Sequence, residues 1–255
     1  MHVGCCAYSY RQYLTKGEMT LEQFLDIGVQ MDLDGVELTS YYFPDTETAT
    51  LYDVKRMALR RGLEVSGAAV GNNFCQADPA KRAEQVQMVK DWIRHSVSLG
   101  APLLRVFAGG VPEGSTDDEA REWTIASLQE CAEVAAEEGV MLALENHGGI
   151  TATVEQVEGL IAGVGSDWVA VNLDTGNYRT DPYGSITRTV PLAITAHVKT
   201  EVPGPNGKED VDIESVINAL NAGGYRGYLS IEYEAAEDPM TAVPRFVETL
   251  QRLVR

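Results

Sequence analysis

Four side chains able to bind a divalent metal stand at the ends of four successive apolar segments in the second half of the chain. They are Glu145, Asp174, His197 and Glu232. Without a cation, three converging carboxylates would repel one another and raise one another's pKa values. Three oxygen ligands and one imidazole suit Mn²⁺, Mg²⁺ or Co²⁺ in octahedral coordination, whereas Zn²⁺ more often recruits additional His or Cys. The set predicts one divalent metal ion, and we expect Mn²⁺, with Mg²⁺, Co²⁺ or Zn²⁺ as alternatives.

The apolar segments belong to a pattern that extends along the whole chain. Short β-branched or apolar runs alternate with longer amphipathic ones, which is typical of βαβ units. The predicted strands are Val3–Tyr8, Gly35–Leu38, Glu64–Val70, Leu103–Phe107, Met141–Glu145, Trp168–Leu173, Ile194–Val198 and Tyr228–Ile231. The predicted helices are Leu21–Met31, Thr48–Arg61, Pro79–Leu99, Asp117–Glu138, Val154–Ala162, Ile213–Ala222 and Met240–Leu253, with a short helix near Ile186–Val190.

The number and spacing of these units predict the fold class. Eight units repeat with a period of roughly 30 residues in 255 residues, which is near the length typical of one β/α barrel. No composition shift or Pro/Ser-rich linker divides the chain, and no Gly-rich phosphate loop follows a strand. We therefore predict an α/β protein with a single (β/α)8 TIM barrel domain over residues 1–255. The strand ends converge on one axis in such a barrel, and this brings the four candidate ligands together.

The charge balance excludes some classes of partner. The chain has 20 basic against 38 acidic residues, a net charge of −18, which disfavours nucleic acids and anionic membranes. No apolar run approaches a membrane span, and no signal peptide precedes the first strand, so we expect a cytoplasmic protein. We expect Cys5, Cys6, Cys75 and Cys131, which lack CxxC spacing, to be reduced, mostly buried thiols.

The four segment ends resemble those of a known superfamily. Leu144-Glu145-Asn146, Leu173 to Asn177, His197-Val198-Lys199 and Ser230-Ile231-Glu232 are similar to the motifs of the sugar phosphate isomerase/epimerase superfamily of xylose isomerase-like barrels. The resemblance covers nearly the whole chain in strand order. Its motifs identify the superfamily but give little information about which substrate the protein uses.

This resemblance implies a function. It makes Glu145, Asp174, His197 and Glu232 the metal ligands of an isomerase or epimerase that acts on a ketose or a related sugar or polyol. In epimerase-like members the two glutamates also exchange protons with carbon on opposite faces of the substrate. A metal that holds a carbonyl and a neighbouring hydroxyl acidifies the carbon between them and stabilises the enediolate, so Glu145 and Glu232 are the expected acid and base pair.

One departure from the pattern keeps a second activity open. Many members have His three residues after the Asp of the sixth strand, where this chain has Asn177. Conversely, His147 follows Glu145 by two residues and so lies on the same side of an extended strand. With His147 as base, the same site would be a lyase or dehydratase that eliminates water or an aglycone from a keto-sugar, keto-glycoside or keto-inositol.

Further residues at the strand ends are candidates for substrate binding. They are Glu37, Asn72, Arg105 and Lys199. Each has an alternative interpretation as a structural or solvated residue. The Pro- and Gly-rich loop Glu201–Asp210 is expected to be a lid or an oligomer contact.

Another group of enzymes in the superfamily sets a limit on this interpretation. Abasic-site endonucleases build a multi-zinc cluster from many histidines, whereas this chain has His2, His95, His147 and His197 only. We therefore expect a small sugar-like substrate and no nucleic acid. A non-catalytic barrel, a homo-oligomer and a subunit that needs a partner stay open.

Overall fold

Eight parallel strands close into a barrel in the computed structural model, which describes residues 1–205 and 207–254. The barrel strands are β1 (His2–Cys6), β2 (Gly35–Thr39), β3 (Glu64–Ala69), β4 (Leu103–Val106), β5 (Met141–Glu145), β6 (Val169–Asp174), β7 (Ala193–Val198) and β10 (Tyr228–Ile231). β10 pairs with both β7 and β1 and thereby closes the barrel. The predicted (β/α)8 fold is confirmed. Arg255, the last residue of the predicted domain, lies outside the described residues.

Helices surround the barrel. They are α1 (Arg11–Leu14), α2 (Leu21–Gln30), α3 (Thr48–Arg60), α4 (Pro79–Leu99), α5 (Asp117–Glu138), α6 (Val154–Val164), α7 (Pro182–Thr189), α8 (Ile213–Ala222) and α9 (Pro239–Val254). The side chain of Thr20 caps α2, and Gly100 and Gly139 end α4 and α5 in the left-handed conformation. Over residues 1–205 and 207–254, no helix is long and apolar enough to cross a membrane.

Two connections differ from the sequence prediction. The short helix between β6 and β7 begins at Pro182, four residues before the predicted start, because Asp181 caps it and Pro182 occupies its first position. The segment predicted as the loop 201–210 contains an antiparallel pair, β8 (Glu201–Gly204) and β9 (Gly207–Asp210). Asn206, between these strands, lies outside the described residues. The predicted role of the segment 201–210 as a lid or an oligomer contact stays a prediction.

The register of the barrel places the candidate site. Glu145 lies beside Asn172 across β5 and β6, and Asp174 lies beside His197 across β6 and β7. His197 also lies beside Ser230, two residues before Glu232. The ends of four successive barrel strands therefore present their side chains at one end of the barrel.

Candidate active site

The four predicted ligands form one cluster at the carboxyl ends of β5, β6, β7 and β10. Glu145, Asp174, His197 and Glu232 each offer one ligand atom, and these atoms all lie within 4.8 Å of one another. All four residues are buried. The barrel thus brings together side chains that are far apart in the sequence.

The imidazole of His197 lies between carboxylates on its two sides. Nε2 lies 2.9 and 3.0 Å from the two carboxylate oxygens of Glu37, and Nδ1 lies 3.4 Å from Oε2 of Glu145 and 3.4 Å from Oε2 of Glu232. Because an ionised carboxylate only accepts hydrogen bonds, Nε2 is the donor to Glu37. Nδ1 therefore faces the cluster.

Two buried atoms of the cluster suit a metal ion. Nδ1 of His197 and Oδ2 of Asp174 make no hydrogen bond to any described residue, although Nζ of Lys199 approaches Oδ2 to 3.2 Å without hydrogen-bond angles. Buried polar atoms normally have a partner, and a bound cation would provide one for both of these acceptors. The donor set, three carboxylates and one imidazole nitrogen, fits a divalent cation.

A smaller group shares His197 with this cluster. Cys6, Glu37 and His197 also bring ligand atoms within 4.8 Å of one another. Burial raises the pKa of the Cys6 thiol well above its usual range, and Glu37 raises it further. Since both carboxylate oxygens of Glu37 already accept from Nε2 of His197, the four-residue cluster is the better metal site.

Polar side chains surround the carboxylate of Glu145. Nδ2 of Asn172 donates to Oε2 at 3.0 Å, Nδ2 of Asn177 donates to Oε1 at 3.4 Å, and Nε of Arg105 lies 3.3 Å from Oε2. Burial raises the pKa of Glu145 to about 8, against the lowering effect of the charges of Arg105 and His197. The two amides hold the carboxylate in one orientation.

Asp174 is held through its backbone. The side chain of Asn146 accepts from the amide of Asp174 at 2.7 Å and donates to its carbonyl at 2.9 Å. Oδ1 of Asp174 accepts from the amide of Gly176 at 2.8 Å. Burial raises the pKa of Asp174 although the Lys199 charge lowers it. These contacts leave Oδ2 directed at the cluster.

Lys199 is a buried cation next to the cluster. Its Nζ contacts a carboxylate oxygen of Glu232 and lies 2.5 Å from Oε2 of Glu234. Burial lowers the pKa of Lys199, but Asp174 and Glu232 outweigh this effect and raise it well above its usual range. Burial raises the pKa of Glu232, yet the charges of His197 and Lys199 hold it well below its usual range. Lys199 therefore neutralises part of the negative charge of the site.

Two of the predicted substrate-binding residues make contacts inside the protein. Both amide atoms of Asn72 bond the backbone of Phe107, at 2.8 and 2.9 Å. Arg105 is 2% exposed, its guanidinium lies 3.8 Å from the centre of the Phe107 ring, and its Nη1 donates to the carbonyl of Val70 at 3.3 Å. Arg105 thus reaches the barrel interior, and Asn72 joins the loops that follow β3 and β4. Substrate contact by either residue stays a prediction.

His147 lies at the mouth of the barrel rather than in the cluster. Its side chain is exposed, and its ring centroid lies 4.3 Å from that of Phe107. Loss of water around the packed part of the ring, together with the charge of Arg105, lowers the pKa of His147. The imidazole is therefore neutral at neutral pH, as a general base must be.

Sequence reasoning assigned no role to three residues that support the site. They are Asn146, Asn172 and Glu234. Asn172 and Glu234 are two residues away from Asp174 and Glu232, so the two-residue period of a strand could have identified them. No sequence pattern identifies Asn146, because its side chain bonds the backbone of Asp174 on the next strand.

The sequence matches a family model and a human protein. The sequence model of a family described as xylose isomerase-like TIM barrel matches residues 25–253. A curated human protein, a putative hydroxypyruvate isomerase, is 25% identical over 179 residues, which cover 64% of this chain and 64% of the human protein. The alignment therefore spans less than two thirds of that relative.

Solved structures share the fold at low sequence identity. A 3-keto-D-glucoside 4-epimerase from E. coli in its apo form superimposes with a TM-score of 0.81 and 18% identity, covering 99% of both chains. An L-ribulose 3-epimerase gives 0.81 and 20%, covering 99% of this chain and 93% of the other. A D-psicose 3-epimerase with D-tagatose from Clostridium cellulolyticum H10 gives 0.78 and 19%, covering 97% and 89%. At these identities the comparisons establish the fold.

Proposed function

Since this chain belongs to the xylose isomerase-like TIM barrel family, we propose that it is a divalent-metal-dependent isomerase or epimerase of a ketose or a related sugar or polyol. The observation that carries the proposal is the buried cluster of Glu145, Asp174, His197 and Glu232, whose ligand atoms lie within 4.8 Å of one another. The sugar epimerases with the same fold and the hydroxypyruvate isomerase relative support it.

The residues that would hold the metal are the four members of the cluster. Asp174 presents Oδ2 and His197 presents Nδ1, the two atoms that lack a hydrogen-bond partner among the described residues. When bound, a divalent ion polarises a substrate carbonyl and makes the proton on the adjacent carbon more acidic. We propose Mn²⁺ as this ion, because the cluster offers more oxygen than nitrogen ligands and no thiolate.

Glu145 and Glu232 are the proposed proton-transfer pair. The two carboxylates approach Nδ1 of His197 from different strands, each with one oxygen at 3.4 Å. A substrate carbon placed between them can lose a proton to one carboxylate and regain one from the other on its opposite face, which inverts its configuration. Asn172 and Asn177 orient the carboxylate of Glu145 for this transfer.

The buried cations have a proposed role in binding. Arg105 and Lys199 lie within 3.3 Å of carboxylates of the cluster, and both are almost fully buried. Negative charge that develops on substrate oxygens during proton removal is stabilised by such fixed positive charges in a water-excluded site. Glu37, in contrast, is proposed to orient His197, because its two oxygens are occupied by Nε2.

A lyase on the same metal site is the second candidate, and His147 favours it. His147 is exposed at the mouth, and its pKa is lowered by loss of water and by Arg105. A neutral imidazole that the substrate can reach is a suitable base for elimination of water or an aglycone from a keto-sugar.

The test separates the two activities. The Mn²⁺-loaded protein is incubated in D₂O with free ketoses, 3-keto-glucosides and inosose. The proposal expects an isomer of the substrate in which one carbon-bound hydrogen has become deuterium. An unsaturated product that absorbs in the ultraviolet would establish the lyase instead, and no conversion of any of these compounds with any of the four candidate metals would overturn both candidates.

A further inference from the structure

Lys199 shares its buried ammonium group among three carboxylates. Its Nζ contacts a carboxylate oxygen of Glu232, lies 3.2 Å from Oδ2 of Asp174 and lies 2.5 Å from Oε2 of Glu234. The side chain of Lys199 is 7% exposed, so these carboxylates replace most of the water that an ammonium group normally binds. A buried charge is costly unless such partners compensate it, and the position of Lys199 therefore depends on them.

Two of these three carboxylates belong to the metal cluster. Asp174 presents Oδ2, the atom for which the described residues provide no hydrogen bond, and Glu232 contributes to the same cluster. A divalent cation ligated by these two residues would have a charge of the same sign as the ammonium group of Lys199 and would use carboxylates that Lys199 also contacts. Like charges that share partners in a buried site repel one another strongly, because little water screens them. Lys199 and a metal ion therefore compete for Asp174 and Glu232 unless another group holds the ammonium.

Glu234 is the third partner and lies outside the cluster. It follows Glu232 by two residues, and its side chain is 35% exposed. It lines a small polar pocket of about 60 Å³ together with Lys199 and with Lys208 of the hairpin formed by β8 and β9. Lys208 is the second cation among the described lining residues and lies 3.6 Å from Glu201. In the part of the chain that the structure describes, Glu234 forms an ion pair with Lys199 alone.

We propose that Glu234 is a positioning residue that holds the ammonium group of Lys199 while a divalent metal ion occupies the cluster. This inference rests on the function proposed above and concerns the metal site of that function. Glu234 gives Lys199 a carboxylate that the metal does not use, so that Asp174 and Glu232 are available as ligands. It thereby keeps a fixed positive charge beside Glu232, the proposed proton-transfer residue, where charge develops during the reaction.

A competing explanation is that Glu234 supports metal binding only through its negative charge. A carboxylate near the site attracts any cation, whether or not it contacts Lys199. The two explanations differ when Lys199 is removed, because positioning then has nothing to act on, whereas long-range attraction persists. A double-mutant cycle between Glu234 and Lys199 therefore separates them.

The experiment measures Mn²⁺ affinity by calorimetric titration of the metal-stripped proteins. It compares the parent with Glu234→Gln, Lys199→Met and the double variant. Glu237→Gln is the matched control, because Glu237 lies three residues after Glu234 and is also exposed, but pairs with Arg245 at 2.6 Å. We expect Glu234→Gln to bind Mn²⁺ roughly tenfold more weakly than the parent. In the Lys199→Met background, and in the Glu237→Gln control, the corresponding change should be less than about twofold.

The outcomes separate this inference from the proposed function. An unchanged affinity in Glu234→Gln, or a loss of the same size that persists in the Lys199→Met background, would overturn the positioning role and leave the proposed metal site intact. A parent protein that binds none of the four candidate metals would overturn both. Crystal structures of the parent with and without Mn²⁺ need no variant, and we expect Nζ of Lys199 to contact Glu234 in both. A metal-bound structure in which Lys199 has left Glu234 would contradict the inference.

Discussion

The carboxylate of Glu37 lies 2.9 and 3.0 Å from Nε2 of His197, and the side chains are 1% and 0% exposed. Glu37 comes from β2 and His197 from β7, so the contact crosses the barrel interior. Because Nε2 donates to Glu37, the opposite nitrogen, Nδ1, faces the carboxylates of the metal cluster. A carboxylate in this position fixes the orientation of a ligating imidazole and makes it a better ligand.

Replacing Glu37 should weaken metal binding without unfolding the protein. Glu37→Gln keeps an acceptor for Nε2 but loses the charge, and we expect roughly a tenfold loss of Mn²⁺ affinity. Glu37→Leu removes the acceptor as well, and we expect up to about a hundredfold loss. Calorimetric titration of the metal-stripped proteins with Mn²⁺ measures both effects.

Glu64→Gln is the matched control for these variants. Glu64 is the first residue of β3 and accepts from the hydroxyl of Tyr228 at 2.7 Å, at the opposite end of the barrel. Its replacement should leave the Mn²⁺ affinity unchanged. Equal affinities in Glu37→Leu and Glu64→Gln would mean that Glu37 does not support the ligand.

Metal binding should stabilise the fold. A ligand that binds only the folded state adds about 2.7 kcal/mol at a concentration about 100 times its Kd. For a chain of this size we expect an increase in Tm of roughly 5–10 °C. Differential scanning calorimetry in EDTA and in Mn²⁺, Mg²⁺, Co²⁺ or Zn²⁺ tests this and ranks the ions. His197→Ala should lose the increase, and a full increase in that variant would remove His197 from the site.

Glu145→Gln and Glu232→Gln should each abolish most of the turnover. A positioned acid or base contributes about 10²- to 10⁴-fold, and each variant also removes a ligand charge, so we expect kcat to fall by at least that factor. The metal-free Glu145→Gln protein should stay folded, because the side-chain oxygen of Gln can still accept the hydrogen bond from Nδ2 of Asn172. Turnover within tenfold of the parent in either variant would contradict the proposed pair.

The sequence predicted most of the barrel because its periodicity is regular. The strands Met141–Glu145 and Tyr228–Ile231 have the predicted bounds, and the other barrel strands differ by at most two residues at either end. Apolar runs that end in polar residues mark both the strand and the end that carries the site. The same argument predicted that Glu145, Asp174, His197 and Glu232 lie close together, and the structure places them in one cluster.

What the sequence left open depends on contacts between distant segments. Glu37 was a candidate for substrate binding, and only the folded barrel shows that its carboxylate contacts His197, 160 residues away. The segment predicted as the loop 201–210 contains a hairpin, which the sequence did not predict because two four-residue strands are too short to give a periodic pattern. The role of Asn146 depends on the backbone of Asp174, which no side-chain pattern reveals.

His147→Gln should separate the two candidate activities. If Glu145 and Glu232 transfer the protons, epimerisation should fall less than tenfold, because His147 lies at the mouth and outside the cluster. Elimination that uses the imidazole as base should fall about 10²- to 10⁴-fold. Both rates are measured with one 3-keto-glucoside by following stereoisomers by NMR and unsaturated product by ultraviolet absorbance. A loss of epimerisation larger than a hundredfold would assign His147 a direct part in that reaction.

The thiol of Cys131 should make stability depend on alkaline pH. Cys131 is fully buried in α5, and burial raises its pKa from 9.0 to about 12. Between these values the unfolded chain loses the thiol proton while the folded chain keeps it, so the unfolded state binds fewer protons and stability falls as pH rises. The contribution is present in full below pH 9 and is lost as the pH approaches 12.

The destabilisation caused by Cys131→Ala, measured by urea unfolding with a reductant, should therefore shrink by about 1.4 kcal/mol between roughly pH 8 and pH 10. Val134→Ala, on the same helix, removes no titratable group and should cost the same at both pH values. A constant cost for Cys131→Ala as well would show that the thiol ionises equally in the folded and unfolded chains.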